Sequence, residues 1–392
     1  MAHTPTVTAP ERPAAEDSER DPAAAKARVK RPRLYVLDGM RLVAALGVVL
    51  WHWAGVQTFT GVWNGQTAKL LPLLHKPAQY GWVGVELFFL ISGFVICMSC
   101  WGKSVGDFAA SRVARLFPAY WFSVLLTSAV LYFSHTIWGA NTQHPTPSRV
   151  LSNLTMLNDP LNVDPIDPVY WTLWAELRFY IMFGLLMATG LTYRKVVAFC
   201  GLWMVAAAIT PKANMPILET LFQATYSWYF IAGVLMYLIY RFGPNLMLFG
   251  MIGICWMMAQ ERIKWVIDAN HYATWKHMSW TVVFGLITIA FVAVLGAALG
   301  WFNRIQWKWL SVAGALTYPV YLIHQEIGFE LIHKLRHHSF TPYAALCTAL
   351  VVMLIAAWLV HRLVERPLAP LLTNAMKKSF DQVRQAAEPR RS

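Results

Sequence analysis

An acid, an arginine and a histidine share one apolar stretch, residues 37–53, at Asp38, Arg41 and His52. Wound as a helix at 3.6 residues per turn, Arg41 and His52 lie eleven positions and about three turns apart, on one face. Asp38, three residues before Arg41, joins that face. Ionisable side chains are costly inside a bilayer, so three on one stripe point to a polar cavity or a functional line. The structural alternative places Asp38 and Arg41 at the interface and makes His52 a hydrogen-bonded core residue.

Four other places carry polar groups in apolar surroundings. Glu86 opens the run Val85 to Phe94, and either meets headgroup water or stands at the mouth of a cavity. Arg112 and Arg115, three apart, share a helical face just before Phe117. Guanidinium groups hold phosphate bidentately, and they also mark the inner side of a membrane protein; both readings are open. Glu176 and Tyr180 are spaced i and i+4 beside Trp171 and Trp174. Such an acid can orient a base or bind a hydroxyl, or pair with an arginine for structure. Finally, Tyr321 and His324 follow Pro319, whose kink frees backbone groups that face protein or a water-filled cavity. Packing and catalysis are equally open there.

These residues need elements to position them. The chain is 57% hydrophobic and 14% charged, against about 25% charged in ordinary globular proteins. That balance predicts an integral membrane protein. The 19 Trp and 15 Tyr fit interfacial belts. About ten apolar runs have the length a helix needs to cross the hydrocarbon core. They lie near 34–56, 82–98, 117–138, 168–190, 196–210, 220–240, 244–260, 279–300, 309–332 and 342–361. The expected fold is all-α: a polytopic bundle of about ten transmembrane helices enclosing a polar cavity.

An even number of spans puts both termini on one side. With that side cytoplasmic, the inner connections hold most of the basic residues, including the cluster at 26–33, Arg112, Arg115, Arg194, Lys195, Arg241, Arg304, Lys308, Arg362 and Arg366. The net charge of +13 is thereby explained by topology in a cytoplasmic membrane, and nucleic acid is not an expected partner. Residues 1–33, rich in Ala, Pro, Glu, Asp and Arg, read as a disordered cytoplasmic tail. Residues 34–370 form the membrane domain and 371–392 a basic cytoplasmic tail. The first apolar run continues into a full span, so no cleavable signal peptide is expected. The five cysteines lie in or beside apolar segments. Cys97 and Cys100 form a C-x-x-C without a second pair, so they read as packing, with no metal site expected.

In their order, these residues resemble the integral-membrane acyltransferase family 3. The resemblance rests on Asp38 and Arg41 with His52, on Val85 to Phe94, and on Arg112 and Arg115 with Pro118, Tyr120 and Trp121. It continues through Trp171-Thr172-Leu173 with Glu176, Phe179 and Tyr180, then Tyr318 to His324, and ends at Glu365-Arg366-Pro367. The chain departs from the family pattern at Thr172, Leu177 and Pro319, and carries Glu86 where Asp is usual. Those departures bear on the substrate more than on the chemistry.

The resemblance implies an O-acyltransferase that uses acyl-CoA as co-substrate, with no bound cofactor. The implied acceptor is a hydroxyl of a glycan, or of a glycosylated or macrocyclic natural product. Arg41 lies near the inner end of its helix and His52 about 16 Å farther along at 1.5 Å per residue. A long thin donor then sets its phosphates near Arg41, Arg112 and Arg115 and its thioester toward His52. His52 acts either as general base on the acceptor hydroxyl or as a transient carrier of the acyl group. Glu176 is expected to orient His52 or the acceptor. Asp38, Glu86, Trp171, Tyr180, Tyr321 and His324 are expected to contact the substrates. The rival reading is a multispan transporter or flippase that uses the same charges as a pathway. It calls for interrupted helices in matching halves, and no such pair is visible. The Ala-, Pro- and Arg-rich tail has the composition of a high-GC bacterium.

Overall fold

A computed structural model describes residues 34–56, 60–134, 144–213, 215–269 and 278–387. Among them all regular structure is helical. The tail expected at 1–33, the last residues of the third expected span (135–138) and residues 388–392 lie outside the described residues.

Ten helices follow the expected order. They begin with α1 (Tyr35–Leu50), α2 (Val83–Cys100), α3 (Val105–Phe133), α4 (Trp171–Ala188) and α5 (Tyr193–Ala213). After α6 (Ser227–Phe242), α7 (Leu246–Ala269), α8 (Trp280–Ala298) and α9 (Trp309–Ile323) comes a shorter helix, α10 (Glu326–His337). The tenth expected span is α11 (Pro342–Val360), and α12 (Arg366–Ala387) closes the described chain. Among the described residues, seven helices are long and apolar enough to cross a membrane, and the protein is a polytopic all-α membrane protein.

The bundle is built around α6, in which every residue from Ser227 to Ile239 is buried. A helix that is apolar all round has no solvent face, so it is enclosed by its neighbours. Its closest partner is α2, where Gly93 and Gly233 let the two backbones touch. Around this pair, α1 packs on α2 and α9, α9 on α11, and α12 along α3.

Three boundaries differ from those the hydropathy predicts, each for a local reason. α3 starts at Val105, where Ser104 caps Asp107 N, so Arg112 and Arg115 lie inside a 29-residue helix rather than before one. The span expected at 220–240 is interrupted: a short helix ends at Gln223 in the left-handed region (φ 51°), and α6 begins at Ser227. The span expected at 309–332 breaks after Ile323, and the Asp167 carboxylate accepts the backbone N–H of Glu326 at the start of α10 (3.2 Å).

Two π turns, the wider winding often found at functional sites, interrupt the bundle. One extends α1 over Trp51–Gly55, and the other, His361–Glu365, joins α11 to α12 just before Pro367. Residues 371–387, read from the sequence as tail, belong to α12. That helix sets Phe380 against Gly106 and Lys377 Nζ 3.0 Å from Asp107 of α3.

Asp167 lies outside the spans, fully buried, with Oδ1 accepting from Val169 N (3.1 Å) and Oδ2 from Glu326 N. Burial pushes its carboxyl up from 3.8 to about 7, against the pull of both N–H donors. The folded chain then holds a proton that the unfolded chain releases above its own carboxylate range. Stability from this group is therefore complete below the unfolded value and lost as pH rises to about 7. The melting temperature of the solubilised protein is expected to fall between about pH 4 and about pH 7, and Asp167→Asn to flatten part of that slope. Equal slopes in the two proteins would remove Asp167 as the cause.

Candidate active site

A chamber of about 80 Å³ lies among α1, α2, α3, α4 and α9. α1 contributes Arg41, α2 Phe88, Phe89 and Ser92, and α3 Arg112 and Arg115. Thr172, Glu176 and Tyr180 come from α4, and Thr317, Tyr318 and Tyr321 from α9.

Its charges are arranged by close packing. Asp38 stands 4.0 Å from Arg41 one turn away, and its side chain presses on Gly314 of α9, where an added Cβ would lie 2.7 Å from Asp38 Cβ. Glu176 accepts a hydrogen bond from Ser92 Oγ (3.0 Å) and a very short one from Tyr180. The Arg112 guanidinium lies 5.9 Å from the centre of the Tyr180 ring. Arg41 interacts electrostatically with Arg115, Asp38, Glu176 and Tyr180. Three guanidinium groups thus stand with two carboxylates, Asp38 and Glu176, which leaves an excess of positive charge for an anion.

The chamber shares Arg112, Arg115 and Tyr318 with a wider vestibule of about 780 Å³ between the N-terminal part of α3, the second π turn and α12. Lys103, Arg366, Lys377, Asp107, His361 and Glu365 also line it, with His361 Nδ1 2.6 Å from Glu365. Ala315 lines it too. Its carbonyl is the one that Pro319, lacking an N–H four residues on, leaves without a helical donor. The carbonyl that this proline leaves free therefore falls at a cavity wall.

His52 lies beyond the chamber, in the π turn that ends α1, and is 9% exposed. Its Nδ1 stands 3.0 Å from the Val48 carbonyl and 3.0 Å from Nε2 of His324, with the rings 4.9 Å apart. Tyr321 connects the two regions: it lines the chamber, and its ring centre is 5.6 Å from that of His324. Its hydroxyl shares a 2.8 Å hydrogen bond with Thr172. On the far side, residues 60–78 fold over the end of α1. There Trp63 donates to Trp53 O (2.7 Å), His75 Nδ1 stands 2.7 Å from Ala54 O, and Thr67 donates to Val56 O (3.2 Å).

The structure thus brings Arg41, Arg112, Arg115, Glu176, Tyr180 and Tyr321 to one chamber and sets the other expected residues apart. Glu176 is not placed against His52: Ser92 and Tyr180 take its carboxylate, and His324 stands beside the catalytic candidate instead. His324, expected on the substrate side, is fully buried with both ring nitrogens engaged by the protein. Asp38 supports Arg41 from behind. Glu86 is buried among helices, away from the chamber lining, and its Oε2 has no hydrogen-bond partner among the described residues. Trp171 turns outward at 38% exposed, its ring 5.0 Å from Tyr226. Sequence reasoning missed Ser92 and Tyr318 as wall residues. A lone serine in an apolar run was the available signal for Ser92.

Known proteins resemble this chain over most of its length. Residues 34–362 match a family model described as an acyltransferase domain. Acyltransferase MdmB of Streptomyces mycarofaciens is 25% identical over 386 residues, covering 87% of this chain and 92% of that protein. Nodulation protein 10 of Rhizobium leguminosarum bv. viciae is 26% identical over 331 residues, 75% of this chain and 83% of its own. Protein 2 in the picA locus of Rhizobium radiobacter is 30% identical over 161 residues, 39% of this chain and 63% of that protein. No solved structure matches the chain.

Proposed function

The chain belongs to the acyltransferase family whose model spans residues 34–362 and is an acyl-transferring enzyme, and from that premise we propose its donor, acceptor class and catalytic residues. The donor is an acyl-CoA thioester carrying acetyl or another short acyl group. The acceptor is a hydroxyl of a carbohydrate, or of a glycosylated or macrocyclic natural product. The protein sits in the cytoplasmic membrane with both termini, and the vestibule, on the cytoplasmic side.

The convergence of Arg41, Arg112 and Arg115 on one chamber carries this reading. Guanidinium groups gathered in excess over their carboxylates suit an anion of matching geometry, and phosphate oxygens accept from them bidentately. The vestibule has the volume for a nucleotide, and the chamber has space for a thin chain with a short acyl group. The acceptor hydroxyl meets the thioester at the far end, beside His52. There the hydroxyl loses its proton to His52, its oxygen bonds the acyl carbon and the carbon–sulfur bond breaks. The same proton then passes from His52 to the departing thiolate. Glu176 holds Ser92 and Tyr180 in place and balances the arginines rather than serving His52.

Arg115→Ala removes one charge-assisted contact of about 1.5–3 kcal/mol, so the KM for acyl-CoA is expected to rise roughly tenfold to a hundredfold. Labelled acyl-CoA titrated against membranes containing each protein measures it. An unchanged apparent affinity would discard the phosphate role. Mass spectrometry of products from cells with and without the gene identifies the acceptor.

A further inference from the structure

We propose that His324 is the positioning residue of His52: it fixes the tautomer that leaves Nε2 of His52 as the free, basic nitrogen. This rests on the role of His52 given above. The argument is one of donors and acceptors. Nδ1 of His324 stands 2.7 Å from the carbonyl of Tyr321, which only accepts, so that nitrogen carries the proton. Nε2 of the neutral His324 ring then offers a lone pair toward His52 Nδ1 at 3.0 Å. The other neighbour of that nitrogen, Val48 O at 3.0 Å, is an acceptor as well. His52 Nδ1 therefore has two acceptors and no donor, and it must carry the proton. Its Nε2 is left with a lone pair and has no protein partner among the described residues.

His324 is itself held rigidly. It is fully buried at the break between α9 and α10, and its carbonyl accepts from Trp53 Nε1 at 2.8 Å. Trp53 follows His52 in the π turn, so the turn and the helix break are tied together on both sides of the histidine pair. The pair does what a carboxylate does in a nucleophile–histidine–acid triad: it orients the imidazole and accepts its second N–H while the first nitrogen takes a proton. A neutral acceptor does this without burying a further charge in the bundle interior.

The test compares His324→Leu, which fills similar space without an acceptor, with His324→Gln, whose amide oxygen can accept from His52 and whose N–H can reach Tyr321 O. CoA release from acetyl-CoA is followed in membranes of the source organism, which contain the native acceptor. For His324→Leu, kcat is expected to fall about tenfold to a hundredfold with the KM for acetyl-CoA within about twofold, because the arginines assigned to the donor are untouched. His324→Gln should recover most of that loss. Unchanged kcat in His324→Leu, or a folded His324→Gln no better than His324→Leu, overturns the proposal. Nitrogen-15 NMR of histidine-labelled wild-type protein, with His52→Asn for assignment, reads the tautomer even where a His324 variant fails to fold. Protonation of His52 at Nδ1 supports the proposal and protonation at Nε2 overturns it. Should His52→Ala stay active, the catalytic reading fails while the tautomer measurement still decides this one.

Discussion

Replacing His52 by alanine is expected to lower acyl transfer by about two to four orders of magnitude, the contribution of a positioned general base. Among the described residues no imidazole lines the chamber, and the one beside His52, His324, has both nitrogens engaged. Donor binding should survive, because Arg41 lies about 16 Å along the helix, at 1.5 Å per residue, from the site of the change. The variant also leaves the neighbouring contacts of Trp53 in place, so the end of α1 should keep its fold. The measurement is the initial rate of transfer from labelled acyl-CoA in membranes, alongside donor binding to the same protein. Full activity in His52→Ala would sink the catalytic assignment. Loss of both rate and binding would trace the defect to folding.

Gly93→Val is the change expected to damage the structure most. A Cβ on Gly93 would stand 2.1 Å from the Phe230 carbonyl oxygen and 3.1 Å from Gly233 Cα, and one on Gly233 would stand 2.0 Å from Leu90 O. The obstructing atoms are backbone in the middle of two buried helices, so no rotamer change relieves the overlap. Overpacking in cores ordinarily costs about 1–3 kcal/mol, and a backbone clash belongs at or beyond the upper end. Separating α2 from α6 would also move Ser92, the neighbour of Gly93, off Glu176. Gly253→Ala on α7 is the control, since nothing lies within 4 Å of its added Cβ. Helix propensity alone should make that change neutral or stabilising by up to about 1 kcal/mol. Size-exclusion profiles and melting temperatures compare the two. A Gly93→Val protein as stable as wild type would show that the helix contact is looser than described.

The contrast between the Asp38–Arg41–His52 stripe and the His52–His324 pair marks where sequence reading stops. The stripe was legible because its members are neighbours on one helix, and a period of 3.6 converts spacing into a shared face. The ten helices were legible for a similar reason, since apolar length is a local property set by the thickness of the membrane. Glu176, expected to orient His52 or the acceptor, lies against Ser92 and Tyr180 and not against His52, because an acid, a base and a plausible chemistry do not say which helices touch. The answer lay in the contacts of α2 with α4 and of α1 with α9, joining residues 84 and 272 positions apart in the chain. Nor could hydropathy show the break after Ile323, because that break depends on Asp167 reaching Glu326 from another segment. The sequence by itself thus determined the membrane helices, their order and the inventory of buried ionisable groups, all of which follow from local periodicity and solvation. Only the tertiary structure decided which of those groups meet, because backbone contacts such as Gly93 on Gly233 and Gly314 on Asp38 fix the distances between helices, and no spacing along one helix encodes them.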